Sequence, residues 1–330
     1  MKHWIYSVLI TLGMTIAAGF ATAGPTVYIP LGSGNRVIEV DAATDKITAT
    51  FTGVENPHGL AATPDGEYLV AGSLTETPPA AGQPADTPTS KLALIHPAHG
   101  HVMLNIPVVG WSHHVAITPD GRYAISTHPT RGGISVVDLQ SNQVVKTVKT
   151  GPGPNYVVIV PDGSRAYVTN SGNGTISEVD VSNWTVTRTL EGGPGPAHMV
   201  LSGDGATLFV SNPRAGKVSA VSIRTGKVVD SWKVGDTLHG LDLGDDGKTL
   251  FISSKQGGKL IALDTETGKV VREVTLSPAP YHLNTIHGTG KIYVSSRQQP
   301  KIWVVDQGTL KVLGEIALPA GEGHQMAIVK

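Results

Sequence analysis

The chain has 330 residues, 40 glycines, 22 prolines, no cysteine and 15% charged residues, with a formal net charge of −1. The balanced charge argues against a general nucleic-acid or membrane-surface binder. With no cysteine, disulfides, thiolate metal sites and the C-x-x-C-H haem attachment are excluded. High glycine with low charge and short Val/Ile/Thr/Tyr runs points to all-β structure rich in tight turns.

In chain order, residues 1–23 read first, as a secretory signal. Lys2 supplies the positive start, Trp4 to Phe20 is mostly apolar, and Ala21-Thr22-Ala23 forms an A-x-A cleavage site. The apolar run is short for a membrane span, and Gly24-Pro25 follows it at once. The expectation is an exported, periplasmic protein over 24–330, with no membrane association once the signal is removed.

From residue 26 onward the chain repeats with a period of about 42 residues. The copies read HGLAATPDGEYLVAGS (58–73), HVAITPDGRYAISTHPTRGGISVVDLQSNQVVKTVKTG (114–151) and NYVVIVPDGSRAYVTNSGNGTISEVDVSNWTVTRTLEGG (155–193). HMVLSGDGATLFVSNPRAGKVSAVSIRTGKVVDSWKVG (198–235), HGLDLGDDGKTLFISSKQGGKLIALDTETGKVVREVTL (239–276) and HLNTIHGTGKIYVSSRQQPKIWVVDQGTLKVLGEIAL (282–318) follow. Complete copies hold four alternating runs separated by turns such as PDG and TGK, which predicts one four-stranded antiparallel blade per copy and hence an all-β propeller. TVYIPLGSGNRVIEVDAATDKITATFTG (26–53) has three strands and no first, whereas GHQMAIVK (323–330) is a first strand alone. Joined, they make a seventh blade, closed by the C-terminal strand.

YVTN at 167–170 with PDG at 161–163, and variants of both in other copies, resembles the YVTN family of seven-bladed propellers across 26–330. That resemblance implies the fold and leaves the function open.

A histidine returns at the start of the first strand of most copies: His58, His113, His198, His239, His282 and His324, with Asn155 in the remaining one. Two alignments are ambiguous. His113 and His114 compete for one place, spacing favouring His113. His198 is one residue closer to its turn than the others, so either its strand is shorter or Ala197 fills the place and His198 points between blades. Because the first strand lines the channel, the column is expected to ring one mouth. The loops between second and third strands share that face and contribute His128, Arg131, Arg214, Lys255 and Arg297. His128, Lys255 and Arg297 fall in one column of the alignment. The insertion LTETPPAAGQPADTPTSK (74–91) lies on this face as a lid, a docking arm for a partner protein, or a solvated insertion.

An all-imidazole set in an exported protein suits copper first and zinc second. A crowded ring also keeps imidazoles neutral, the ligand form. The column is similar to the histidine-lined channels of the propeller domains of nitrous oxide reductase and thiocyanate dehydrogenase. That likeness implies a copper centre, although this chain lacks the cysteine ligands of the former's electron-transfer domain. The sequence admits a metal carrier or metal centre, a non-enzymatic scaffold that docks a partner, or an enzyme acting on a small anion through an electropositive funnel. Packing alone is a further explanation of the column.

A second cluster, His96, His99 and His101, sits in the turn between strands three and four of its blade, at the opposite end, as a looser candidate metal site. His287 reads as surface. Asp65, Asp120, Asp162, Asp204 and Asp246 recur at turns and read as turn formers. No G-x-S-x-G, P-loop or H-E-x-x-H motif is present.

Overall fold

The computed structural model describes Met1 and residues 24–84 and 86–330. The signal segment therefore lies outside the described residues, apart from Met1. Among the described residues the alternating runs form 28 strands in seven four-stranded antiparallel sheets, a seven-bladed β-propeller. We number the blades from residue 57, so that blade 1 spans 57–108, blade 2 runs to 149, blade 3 to 191, blade 4 to 233, blade 5 to 275 and blade 6 to 317. Blade 7 joins the C-terminal strand Ala327–Val329 to the N-terminal strand Thr26–Leu31, with Tyr28 opposite Ala327.

The core is divided among the blade interfaces. Each of seven apolar clusters draws from two neighbouring blades; one joins Leu31 and Ile38 of blade 7 to Tyr293 and Ile302 of blade 6. No blade buries its apolar faces alone, so the ring is stable only when closed. Polar ties reinforce the closing joint: the Lys291 ammonium donates to the Ala42 carbonyl at 2.9 Å and to the Asp45 carboxylate at 2.8 Å.

The PDG turns form as their residue types dictate. Asp65 accepts the Thr63 hydroxyl at 2.6 Å and the Glu67 N–H at 3.0 Å, and Gly66 takes φ +73°, a conformation costly for residues with a Cβ. Asp120, Asp162, Asp204 and Asp246 accept equivalent bonds in their own turns. Among the described residues no helix is long and apolar enough to cross a membrane.

Candidate metal centre

Strand pairing corrects the histidine alignment. Residues paired to equivalent positions of the second strand are Leu60, Val115, Val157, Met199, Leu241 and Leu283. Counting back two residues gives one column of His58, His113, Asn155, Ala197, His239 and Tyr281. Counting back one gives a second column of Gly59, His114, Tyr156, His198, Gly240 and His282. In blade 7 the pairing of Ala327 with Tyr28 puts His324 in the first column and Gln325 in the second. The single column of the sequence is thus two adjacent ones. Ala197, not His198, fills blade 4's place in the first, and Tyr281, not His282, fills blade 6's. His113 and His114 both belong.

Alternation along a strand would send neighbouring side chains to opposite faces. Here the pairing slips by one residue at this point in blades 1, 3, 5 and 6, between Pro57 and Leu60 in the first of them. A β-bulge of this kind re-aims a side chain. Both columns consequently reach one place, and seven imidazoles form a continuous cluster. Ring centroids are 4.2 Å apart for His58–His324, 4.3 Å for His58–His113, 4.7 Å for His114–His198, 4.4 Å for His198–His239 and 4.6 Å for His239–His282. His198 points into the cluster rather than between blades.

The two glycines of the second column make this approach possible. A Cβ on Gly59 would lie 2.7 Å from the His113 carbonyl oxygen and from the His114 Cα. One on Gly240 would lie 2.9 Å from the Tyr281 carbonyl oxygen. Each glycine admits the next blade's backbone, which carries His114 or His282.

Ligand nitrogens converge in three triads, each within 4.8 Å: His58, His113 and His114; His58, His282 and His324; and His114, His198 and His282. Metal–imidazole bonds of about 2.1 Å put two ligand nitrogens at most about 4.2 Å apart, so the triads close on an ion with ring movements of about half an ångström. Every pair of triads shares one ring.

Hydrogen bonds define several tautomers. His58 Nδ1 donates to the His113 carbonyl at 2.9 Å, and His114 Nδ1 to the Asn155 carbonyl at 2.8 Å. A carbonyl only accepts, so both rings carry the proton on Nδ1 and present an Nε2 lone pair to the channel. His239 Nε2 and His282 Nε2 face each other at 3.2 Å. His324 Nε2 donates to Glu322 at 3.3 Å. His113 Nδ1, His114 Nε2, His198 Nε2 and His324 Nδ1 are buried with no hydrogen-bond partner.

Burial holds the whole cluster in its neutral form. It lowers His113 to about 4 and His198 to about 3, and sends His58, His114, His239 and His282 well below the ordinary histidine range, with neighbouring imidazoles adding to the effect in each of these four. His324 is also lowered by burial, against the opposing pull of Glu322.

One titratable group is not singled out by the sequence repeat. Asp242, three residues after His239, is pushed up to about 6 by burial while the Thr285 and Leu243 N–H groups donate to it and pull the other way. Burial, and after it the Asp242 charge, raise Tyr156, which itself packs against His114 and His198 at 4.6 and 4.8 Å. The signal available was an acid within a strand rather than at a turn, in HGLDLGDDG.

The other candidates separate. His128 pairs with Gly133 as Ser254 pairs with Lys259, so it aligns with Ser254 and not with Lys255. It is buried inside its blade, donating from Nδ1 to the Trp111 carbonyl at 3.1 Å and meeting the Ser135 hydroxyl through Nε2 at 2.9 Å. Arg131 pairs with Glu76 at the base of the insertion. Arg214 lines a cleft with Asn155 and Ala197, at the gap in the imidazole ring. Lys255 and Arg297 flank Tyr281, 5.8 and 5.4 Å from its ring centroid. Pro78, Pro79 and Pro88 of the insertion wall a cleft with Lys91, Asn105 and Pro107, over the outer strands of blade 1. His96, His99 and His101 stand at the opposite end, with successive rings 4.0 and 6.0 Å apart. Among the described residues, the convergent triads are all in the channel and none includes these three. His287 bonds Asp245 at 2.8 Å.

Two family models match parts of the chain: the YNCE-like β-propeller over residues 197–291, and the lactonase seven-bladed β-propeller over residues 122–239. No curated protein matches the sequence significantly. Among solved structures the chain is similar to Kuenenia stuttgartiensis hydrazine synthase, at 18% identity and a TM-score of 0.73, covering 91% of this chain and 100% of that one. It is also similar to the periplasmic gluconolactonase of Pseudomonas aeruginosa, at 16% identity and a TM-score of 0.72, with 93% and 99% covered. At these identities the likeness is one of fold, and the fold is a seven-bladed β-propeller.

Proposed function

We propose that this chain is a periplasmic metal-binding propeller whose channel imidazoles hold copper, with zinc as the alternative occupant. The observation that carries this reading is the set of four buried, unpartnered ring nitrogens on His113, His114, His198 and His324. Leaving such groups unsatisfied costs about 1–3 kcal/mol each, and each of the four rings belongs to a triad in which a metal ion would take up its free nitrogen. An all-nitrogen donor set suits copper. The signal reading of residues 1–23 supports export.

The chain's own residues set the conditions. Carbonyls at His113 and Asn155 fix the donor tautomers of His58 and His114. Burial keeps the rings neutral and ready to ligate. Because every pair of triads shares a ring, one ion held by three nitrogens is expected per chain. Bound copper would supply Lewis acidity and redox capacity at the mouth, for carriage or for catalysis. A second reading, an enzyme acting on a small anionic or lactone substrate, draws on the partial lactonase match and the gluconolactonase neighbour.

Metal analysis of protein purified from the periplasm, followed by copper titration, tests the proposal. Wild type should bind one equivalent. His58→Gln with His282→Gln should lose it, because each of these rings serves two of the three triads; His287→Asn should bind as wild type. Absence of both copper and zinc binding, or a double variant that is folded by circular dichroism and binds undiminished, overturns it. Gluconolactone hydrolysis by metal-free protein would support the second reading instead.

A further inference from the structure

Lys255 and Arg297 occupy equivalent places in blades 5 and 6, each just beyond the second strand, after Ser254 and Ser296. The two backbones are anchored alike: the Lys255 N–H donates to the Thr237 carbonyl at 3.0 Å and the Arg297 N–H to the Ala279 carbonyl at 2.9 Å. Thr237 and Ala279 both hold positive φ, +47° and +49°. The two cations therefore rise from built, matching supports. Between them is a cleft of about 490 Å³, lined also by Gln256, Ser277 and Gln298. Both approach the ring of Tyr281, which stacks on His239 with centroids 3.8 Å apart.

Charge selects the ligand. Arg297 pairs with Glu322 at 2.8 Å, whereas Lys255 is in no ion pair among the described residues. Two cations thus face one carboxylate, leaving a single positive charge unmatched. A monoanion balances it; a phosphate dianion overshoots. The Gln256 Oε1 accepts the Thr237 hydroxyl at 2.6 Å, which leaves its amide N–H groups to donate. An arginine fork suits a planar carboxylate, and the amides suit hydroxyl groups beside it.

We propose that this cleft binds a small hydroxylated monocarboxylate, clamped between Lys255 and Arg297. The site adjoins the imidazole cluster across the thickness of one aromatic ring. It goes beyond the metal reading and does not depend on it.

Calorimetric titration of the metal-free full chain with lactate tests this, with glycerol and inorganic phosphate as comparison probes. Lactate should bind at least tenfold more tightly than glycerol and more tightly than phosphate. Lys255→Met and Arg297→Met should each weaken lactate at least fivefold. Because Arg297→Met also frees Glu322, Lys255→Met is the decisive variant. Lactate binding no tighter than glycerol, or unchanged in a folded Lys255→Met protein, overturns the site. Tighter phosphate binding overturns the monocarboxylate assignment. Copper titration of the same samples reports on the other centre: the His58→Gln, His282→Gln protein should lose copper and keep lactate, and loss of both overturns the independence of the two sites.

Discussion

Single residues decide whether the imidazoles can meet. Gly59 is the clearest case, since the atoms a Cβ would strike, at 2.7 Å, belong to the backbone of His113 and His114 and have little freedom to give way. Gly59→Ala should destabilise the protein by about 2 kcal/mol, within the range for overpacking, and lower copper stoichiometry as well. Gly203→Ala is the internal comparison, because nothing lies within 4 Å of its Cβ position, and it should be near neutral. Urea denaturation of the three proteins checks the ordering; a Gly59→Ala protein as stable as wild type would remove the role given to close approach. The histidines themselves were legible as residue types recurring at a spacing. Spacing favours His113 over His114 although both belong, because spacing alone does not register a bulge. Asp242 does not stand out in the sequence, because acids in this chain cluster at turns and a lone acid inside a strand has no repeat to expose it.

At the scale of the element, the first strands of blades 2, 4 and 7 have only three residues each, and in blade 2 the chain compensates. The strand Val115–Ile117 has three residues. Gln325 reaches it from blade 7, accepting the Val115 N–H at 3.2 Å and donating to the Val115 carbonyl at 2.9 Å. One side chain thereby acts as a short strand segment on the channel edge of blade 2. Gln325→Ala leaves both backbone groups unpaired, and a loss of about 1–3 kcal/mol is expected, together with faster amide exchange at Val115. Exchange at Val115 unchanged in the variant would contradict the bridge. Strand count, blade count and PDG turns were all readable, because period-two alternation and turn residues are local properties. The exact partner of each residue was not, since one slipped pairing shifts every later position without altering the pattern of apolar residues.

For the whole molecule, the buried cluster links stability to pH. Each imidazole has a folded pKa below its unfolded value of about 6.5, so the unfolded chain binds more protons as acidity rises. Stability is therefore full above about pH 6.5 and is lost as pH falls toward the folded values, about 4 for His113 and about 3 for His198. In that window each such histidine contributes a slope of up to about 1.4 kcal/mol per pH unit. Metal-free protein should show a melting temperature that falls steeply from pH 6.5 to 4.5, and replacing His198 by Gln should flatten the profile. A profile level across this range would mean that the rings are not buried as a neutral group. Closure of blade 7 makes the ring one cooperative unit, so the loss should appear in the global transition and not in one blade.

The sequence by itself determined the number of blades, the joint between the two termini and the end of each blade on which the histidines stand. Those follow from repeat length, alternation and antiparallel direction, which a chain carries locally. Only the tertiary structure decided that two columns, not one, feed the cluster, that His128 stays inside its blade, and that Lys255 and Arg297 close on Tyr281. The reason is the bulge at the start of the first strands together with close approach at Gly59 and Gly240. Both depend on contacts between strands and between blades, and neither leaves a period in the sequence.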